Sequence, residues 1–472
     1  MGIRIQPLKI EVPENDPFKN DLLDRKDSVK VLTSIVGSIE GPCVLAVDAA
    51  WGTGKTTFLR MWMQYLRNDG FPVVYFNAWE TDFAGDPFVV LSAELSEGLK
   101  PYANQGLITD LENASKEVIR RAIPGLIRVV TAGILDISPL IEKETGDALA
   151  SYAKERLSNQ KFREKLETTA KALAKAKGGK PLVVLIDELD RCRPSYAIEL
   201  LEIAKHLFTV DDVVFVLSMD RSELMHSIKV LYGNDFGAED YLRRFIDFDY
   251  RLPDPDRKAF VEALLRSVGI VEYLTTHSVY QAGDVLELLL LFGKSRLDLR
   301  TVAQAIHRLG LVLVSSPPTR SLFLLTLVFL SIMRTIDSHT YRRFIDGEST
   351  DQEVVETMFK ISGFDTLRDT VVGNLVEALI IAVKRRLCLD ETPAEDPPCP
   401  SKMPLYEQYE QYKELSKAEP KAELSNDPER AQSQERAREV MKHIEDIGDL
   451  ESYTVKKAVE HLELLSADLI RK

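Results

Sequence analysis

The sequence predicts an α/β fold: a parallel sheet covered by helices, carrying an all-helical insertion and followed by C-terminal helical domains. Three observations predict it. Short apolar runs of strand length, at 43–48, 72–77, 181–186 and 213–218, alternate with helical patterns in the first half of the chain. A glycine-containing turn leads from the first of these runs into a helix. After about residue 256 the strand-like runs stop and helical patterns take over. Runs that are apolar throughout have both faces buried, and strands alternating with helices at this spacing form a parallel sheet covered on both faces.

Each element has its own signal. The run CVLAVD (43–48) is a buried-strand candidate, and a helical pattern follows from about Lys55 to Arg67, ended by Asn68-Asp69-Gly70. PVVYFN (72–77) reads as a second strand and 88–100 as a helix. From about 101 to 178 only helical patterns occur, so this stretch is a helical insertion. Its last helix, about 147–177, is basic: nine basic and three acidic residues lie between 154 and 180. Strand PLVVLI (181–186), helix 194–208 and strand VVFVLS (213–218) complete the core. The expected organisation is a core over 1–255, a helical lid domain over 256–345 and a C-terminal helical region over 346–472. A Pro-rich linker falls at about 391–404, and the tail from 405, with alternating charge and sparse apolar residues, suits a solvent-rich helical hairpin.

Bulk properties exclude several classes. At roughly 100–200 residues per domain, 472 residues suggest two to four domains. Apolar residues at 45% and charged residues at 28% describe a globular chain rather than a disordered one. A net charge of -14 argues against coating nucleic acid through overall charge, though a local basic face can still do so. Cys43, Cys192, Cys388 and Cys399 form no C-x-x-C pair, so a disulfide framework and a zinc finger are not expected and a reducing cytoplasm is. His206, His226 and His307 show no metal-ligand spacing. The N-terminus lacks the apolar core of a signal peptide. Residues 321–333 carry no charge, but as helix they reach only about 20 Å against a hydrocarbon core of about 30 Å. Arg128, Asp136 and two prolines interrupt 122–141. No stable membrane span is expected from either.

The chemistry is concentrated in Ala49-Ala50-Trp51-Gly52-Thr53-Gly54-Lys55-Thr56, between a strand and a helix. This is the phosphate-binding pattern G-x-x-x-x-G-K-[ST] with Ala49 in place of its first glycine. Gly52 and Gly54 let backbone N–H groups surround a phosphate, joined by the positive end of the helix. Trp51, Gly52, Thr53, Gly54, Lys55, Thr56 and Thr57 are the candidate nucleotide-binding residues, with Lys55 reaching the β- and γ-phosphates and Thr56 giving a hydroxyl to Mg²⁺. Ala in the left-handed region costs about 1 kcal/mol or more, so Ala49 is expected to keep ordinary backbone angles.

About 130 residues after Lys55, the apolar strand Leu182–Ile186 ends in Asp187-Glu188. Asp187 is the candidate Mg²⁺ ligand and Glu188 the candidate general base. Ser218-Met219-Asp220 ends the next strand, making Asp220 or Ser218 a candidate γ-phosphate sensor, while Asn77 and Trp79 are placed at the same end of the sheet. Arg243 and Arg244 are arginine-finger candidates acting on a neighbouring subunit, and Arg300 is a lid-arginine candidate.

These strings carry a family likeness. Asp48-Ala-Ala-Trp-Gly-Thr-Gly-Lys-Thr-Thr, Phe76-Asn77-Ala78-Trp79, Ile186-Asp187-Glu188-Leu189-Asp190-Arg191-Cys192-Arg193-Pro194 and Tyr241-Leu242-Arg243-Arg244-Phe245 followed by Leu252-Pro253 resemble the KAP family of P-loop NTPases. The likeness covers about 20–310 and does not extend to 346–472. It implies an additional-strand P-loop core related to the AAA+ and STAND groups, with a helical insertion between the two nucleotide motifs. Many members carry membrane helices in that insertion; the charged, broken stretch here resembles a soluble, bacterial-type member. Bacterial members often sit in mobile or anti-phage gene sets. The expected activity is ATP binding and hydrolysis with Mg²⁺, in a homo-oligomer with a co-encoded protein partner. Adenine over guanine rests on this likeness and on the absence of an evident N-K-x-D motif. The competing readings are a nucleotide-locked scaffold that recruits a separate effector enzyme, and a nucleic-acid sensor using basic helix 154–177.

Overall fold

A computed structural model describes residues 10–83, 86–122, 148–207, 209–276, 282–315, 321–361, 364–391, 403–418, 428–448, 450 and 452–464. The chain divides into two compact units, Ile10–Pro255 and Asp256–Lys472 together with the first nine residues.

The first unit is built on five parallel strands: β1 (Cys43–Asp48), β2 (Val73–Asn77), β3 (Leu182–Asp187), β4 (Val213–Met219) and β5 (Phe248–Arg251). Their order across the sheet is β2-β3-β4-β1-β5. Strand β4 therefore lies between the strand that leads into the glycine turn and the strand that ends in Asp187, the additional-strand arrangement the resemblance implies. The register sets Asp48 opposite Met219 and Asn77 opposite Asp187, so the carboxyl ends of the strands lie side by side.

Period-two alternation sends successive side chains to opposite faces, and both faces are apolar. On one face Cys43, Leu45 and Val47 pack with Val183, Leu185, Val214 and Val216 beneath helices α1 (Lys26–Ser38) and α2 (Lys55–Asn68). Phe58 and Trp62 of α2 are fully buried there. On the other face Val44, Ala46, Val184, Ile186, Phe215 and Leu217 meet a larger helical layer. Its helices, after the short α3 (Ala78–Thr81), are α4 (Pro87–Gly98), α5 (Gln105–Ala122), α6 (Ala148–Ala176), α7 (Pro194–Leu207), α8 (Arg221–Tyr232) and α9 (Ala238–Leu242).

The described part of the insertion belongs to this core. Ile108, Leu111, Phe162, Leu166 and Leu173 of α5 and α6 are buried in the same cluster as the sheet, and Phe88 meets Phe162 edge to face at 5.6 Å. Three lysines of α6 are paired with acids. Lys161 lies 3.7 Å from Glu117, Lys165 2.7 Å from Asp110, and Lys171 2.5 Å from Glu167 and 3.5 Å from Asp211. Most of stretch 122–141 lies outside the described residues.

Strand β5 was not among the expected strands. It is four residues long, alternates half-buried and exposed positions, and carries charge on its outer side, the signature of an edge rather than of an apolar run.

The second unit is helical throughout its described residues. Its helices are α10 (Arg257–Val268), α11 (Ile270–Thr276), α12 (Ala282–Lys294), α13 (Leu299–Ser315), α14 (Ser321–Ile336), α15 (Ser338–Ile345), α16 (Asp351–Lys360), α17 (Val371–Glu391), α18 (Pro404–Ala418), α19 (Pro428–Ile447) and α20 (Ser452–Leu464). From the uncharged run 321–333, residues 323–333 are the buried body of α14, enclosed by α12, α13, α15 and α20. No helix among the described residues is long and apolar enough to cross a membrane. The tail is not a solvent-rich hairpin: α19 packs along α17 and α20 along α14, burying Val440, Met441, Val455 and Ala458. The sparse apolar residues recur at helical spacing, so a narrow stripe suffices to dock each helix. Polar groups fix the docking: Glu377, fully buried, accepts hydrogen bonds from Tyr409 and Arg436, and buried Asp351 accepts the N–H groups of Leu405 and Tyr406 at 3.3 and 2.9 Å. Most of the Pro-rich segment 391–404, including Cys399, lies outside the described residues; Cys43, Cys192 and Cys388 are free and buried.

Candidate functional site

The loop from β1 to α2 is shaped by its glycines. Gly52 has φ 73° and Gly54 φ 90°, left-handed angles that cost glycine little. Ala49 is not among the residues with positive φ, as expected from its side chain. Its N–H donates to the Met219 carbonyl at 3.2 Å, so the loop leaves the sheet as a continuation of the ladder with β4. Thr53 Oγ1 donates to the Ala50 carbonyl at 2.7 Å and closes the loop. Arg25, a buried cation that the sequence reading missed, ties the loop to the rest of the unit. Its guanidinium donates to the Thr53 carbonyl at 3.2 Å and to the Pro253 carbonyl at 2.6 Å.

Lys55 opens α2 with its ammonium folded over the loop. It donates to the Ala49 carbonyl and lies 4.0 Å from Asp190 Oδ2. Burial pulls its pKa below the ordinary lysine value, opposed by the carboxylates of Asp190, Asp220 and Asp187. Thr56 follows with its hydroxyl 3.4 Å from Glu188 Oε1, and half-buried Thr57 completes the turn. Trp51 is 48% exposed at the tip; its indole N–H donates to Asp190 and its backbone N–H to Asp220 Oδ2 at 3.1 Å.

The acidic end of β3 faces this loop. Asp187 is fully buried, and burial raises its pKa above the carboxylate norm, against the pull of the Ser218, Tyr75 and Thr56 hydroxyls. Tyr75 donates to Asp187 Oδ2 at 2.9 Å, and the Glu188 N–H donates to Oδ1 at 2.9 Å. Glu188 itself stands at φ 58°, ψ 32°, a left-handed conformation that costs a non-glycine residue about 1–2 kcal/mol. Its carboxylate is held at three points: by Thr56, by Arg191 at 2.9 Å and by Asn77 Nδ2 at 3.2 Å. Asn77 also caps α3 through the N–H groups of Trp79 and Glu80. Trp79 is half exposed with the Arg191 guanidinium 5.9 Å from its ring centre.

The remaining candidates fall elsewhere. Asp220 caps α8, accepting from Ser222 N–H at 3.2 Å, and reaches the loop through Trp51 N–H and through its charge on Lys55. Arg243 and Arg244 are exposed between α9 and β5; Arg243 pairs with Asp240 at 3.3 Å, and Arg244 lies 6.0 Å from the Tyr241 ring centre. Arg300 belongs to the second unit, exposed in the first turn of α13.

The donor set fits a phosphate chain with a divalent cation. Two left-handed glycines frame the loop, one buried ammonium hangs over it, and a hydroxyl and the buried carboxylate at the end of β3 converge beside it. A parallel sheet of this strand order with this loop at its carboxyl edge defines a P-loop NTPase fold. Within that class, the family model described as the KAP family P-loop domain matches residues 26–313, more than half of the chain, and the protein belongs to the KAP family.

A curated relative is similar over 369 residues at 22% identity: the phage T7 exclusion protein of Escherichia coli (strain K12). The match takes in 73% of this chain and 48% of that protein, so the chain spans about half the length of the relative it matches. Two solved structures are also similar. The ORC2 protein of Aeropyrum pernix, in ADPNP and ADP complexes, aligns at TM-score 0.34 and 14% identity over 75% of each chain. A DNA replication initiation factor aligns at TM-score 0.31 and 13% identity over 89% of this chain and 93% of its own.

Proposed function

We propose that this protein is an ATPase that uses its nucleotide state to drive assembly or to remodel a partner. The observation that carries this is the 3.4 Å approach of Thr56 to Glu188, which joins the end of the phosphate loop to the acidic end of β3. In this reading the N–H groups from Trp51 to Thr57 hold the β- and γ-phosphates, and Lys55 leaves the Ala49 carbonyl to neutralise them. Thr56 and Asp187 would hold Mg²⁺, whose charge, when bound, would withdraw electrons from the phosphate oxygens. That charge also offsets the burial cost of an ionised Asp187. Glu188 Oε1 takes a proton from the attacking water while Asn77 and Arg191 keep the carboxylate aimed. Asp220 orients the loop through Trp51 N–H. Arg243 or Arg244 supplies a finger to the nucleotide of a neighbouring copy in a homo-oligomer, and Arg300 is the lid arginine.

The name of the curated relative supports a role in phage exclusion. In that role a co-encoded partner would carry the damaging chemistry. With Lys161, Lys165 and Lys171 paired to acids, nucleic-acid sensing through α6 is the weaker reading. Turnover and binding test the ATPase assignment together. Lys55→Ala should abolish both ATP binding and phosphate release, whereas Glu188→Gln should still bind ATP but lose phosphate release by about 10²-fold or more. Full turnover in Glu188→Gln removes that residue from the base role. ATP binding without turnover in the unaltered protein favours the nucleotide-locked scaffold.

A further inference from the structure

One buried acid beside the phosphate loop is neither a metal ligand nor the base in the proposed reaction. Asp190 stands three residues after Asp187, in the short turn Leu189–Arg191 that left-handed Glu188 opens. It is 5% exposed, and a carboxylate removed from water to that degree needs donors or a cation beside it. Two side chains of the phosphate loop supply them. The Trp51 indole N–H donates to Oδ2, and the Lys55 ammonium lies 4.0 Å from the same oxygen. Burial raises the Asp190 pKa, and the Lys55 ammonium is the strongest influence against that rise. The relation is mutual, for Asp190 is the carboxylate that most opposes the downward pull of burial on Lys55.

The second observation is the seat of the loop's two long side chains. Lys55 donates to the Ala49 carbonyl, at the start of the loop, and the Asp190 carboxylate balances its charge there. Trp51 is tied to acids at both ends, by its indole to Asp190 and by its backbone N–H to Asp220 Oδ2 at 3.1 Å. One carboxylate thus holds the half-exposed tip of the loop and the lysine that opens α2. A phosphate entering the loop has to draw the ammonium off this seat, and it meets repulsion from the same carboxylate.

We infer that Asp190 is a latch on the phosphate loop: it seats Lys55 and the Trp51 indole against the turn after β3, and it competes with the phosphates of the nucleotide for the lysine. This rests on the reading of the loop as a nucleotide site and adds regulation to that site. Asp190 is a positioning residue that loosens the grip on nucleotide and so favours release of the diphosphate product.

Calorimetric titration with ADP and Mg²⁺ reads the competition without turnover. Asp190→Asn keeps the size of the side chain and an oxygen for the Trp51 indole but removes the charge, and it should tighten ADP binding by about tenfold. A residue that merely supported the loop would weaken binding when altered, so the direction of the change separates the two roles. Trp51→Phe, at a half-exposed position, removes the competing indole donor and leaves the carboxylate to Lys55. ADP binding should then weaken by about threefold, and that loss should vanish in the Asp190→Asn background. The tryptophan variant keeps the latch open to test even where Asp190→Asn fails to fold. Unchanged or weaker ADP binding in Asp190→Asn overturns the latch and leaves the nucleotide site standing, as does unchanged or tighter binding in Trp51→Phe. Failure of ADP to bind the unaltered protein overturns the nucleotide reading, and the latch with it.

Discussion

The loops that follow β1 and β3 stand side by side at one edge of the sheet and are built by opposite means. The first is a backbone device. Two glycines take left-handed angles at little cost, and in the proposed function the groups that hold the phosphates are main-chain amides. The second is a side-chain device. Glu188 takes the same left-handed angles without being a glycine, and three neighbours hold its carboxylate. A phosphate chain needs many weak donors around a curve, which only a bare backbone can supply. A proton acceptor has to be one group at one point, and its strain is tolerable because the contacts of the rest of the loop outweigh it.

Breaking the backbone device should have the largest effect of the three tests that follow. Gly54→Ala places a Cβ at φ 90° and 2.8 Å from Leu23 Cδ1. The leucine can move but the backbone cannot, so the left-handed cost of about 1–2 kcal/mol remains. Nucleotide affinity should fall by about tenfold, read by fluorescence titration; an unchanged affinity would mean that the curve is not needed.

Sharpening the side-chain device calls for a variant that spares the helix cap. Asn77→Asp keeps an oxygen for the Trp79 and Glu80 N–H groups but replaces the amide that donates to Glu188 with a second carboxylate. The melting temperature and KM for ATP should hold while kcat drops by about fivefold, the worth of one such hydrogen bond of about 1 kcal/mol. Parallel loss of stability would reduce Asn77 to a cap.

The sequence showed the two devices unequally. Glycines and lysine between a strand and a helix announce the first, because the residues that bend the chain are adjacent in sequence. Asp187-Glu188 announces the acids of the second but not the strain at Glu188, nor the Asn77 contact from another strand. Arg25 was illegible for the same reason: it joins carbonyls 28 and 228 residues away. Buried apolar strands were readable because both faces obey one rule, whereas β5, an edge of four residues with charges, obeys none that a run of hydrophobicity can express. The tail misled because helix docking needs only a stripe, which composition averages away.

The smallest expected effect falls at the loop entrance. If the curve begins only at Gly52, then Ala49 needs no glycine, since its backbone is ordinary and its N–H simply extends the β1–β4 ladder to Met219. Ala49→Gly should then leave ATP affinity within about twofold. It should also lower stability by roughly 0.4–1 kcal/mol, because glycine widens the unfolded ensemble without relieving any strain in the fold. Paired thermal melts and titrations read both quantities on the same samples. A tenfold gain in affinity would place the bend earlier, at the position where the family pattern has its first glycine, and the contrast between the two loops would have to include Ala49 as a second strained residue.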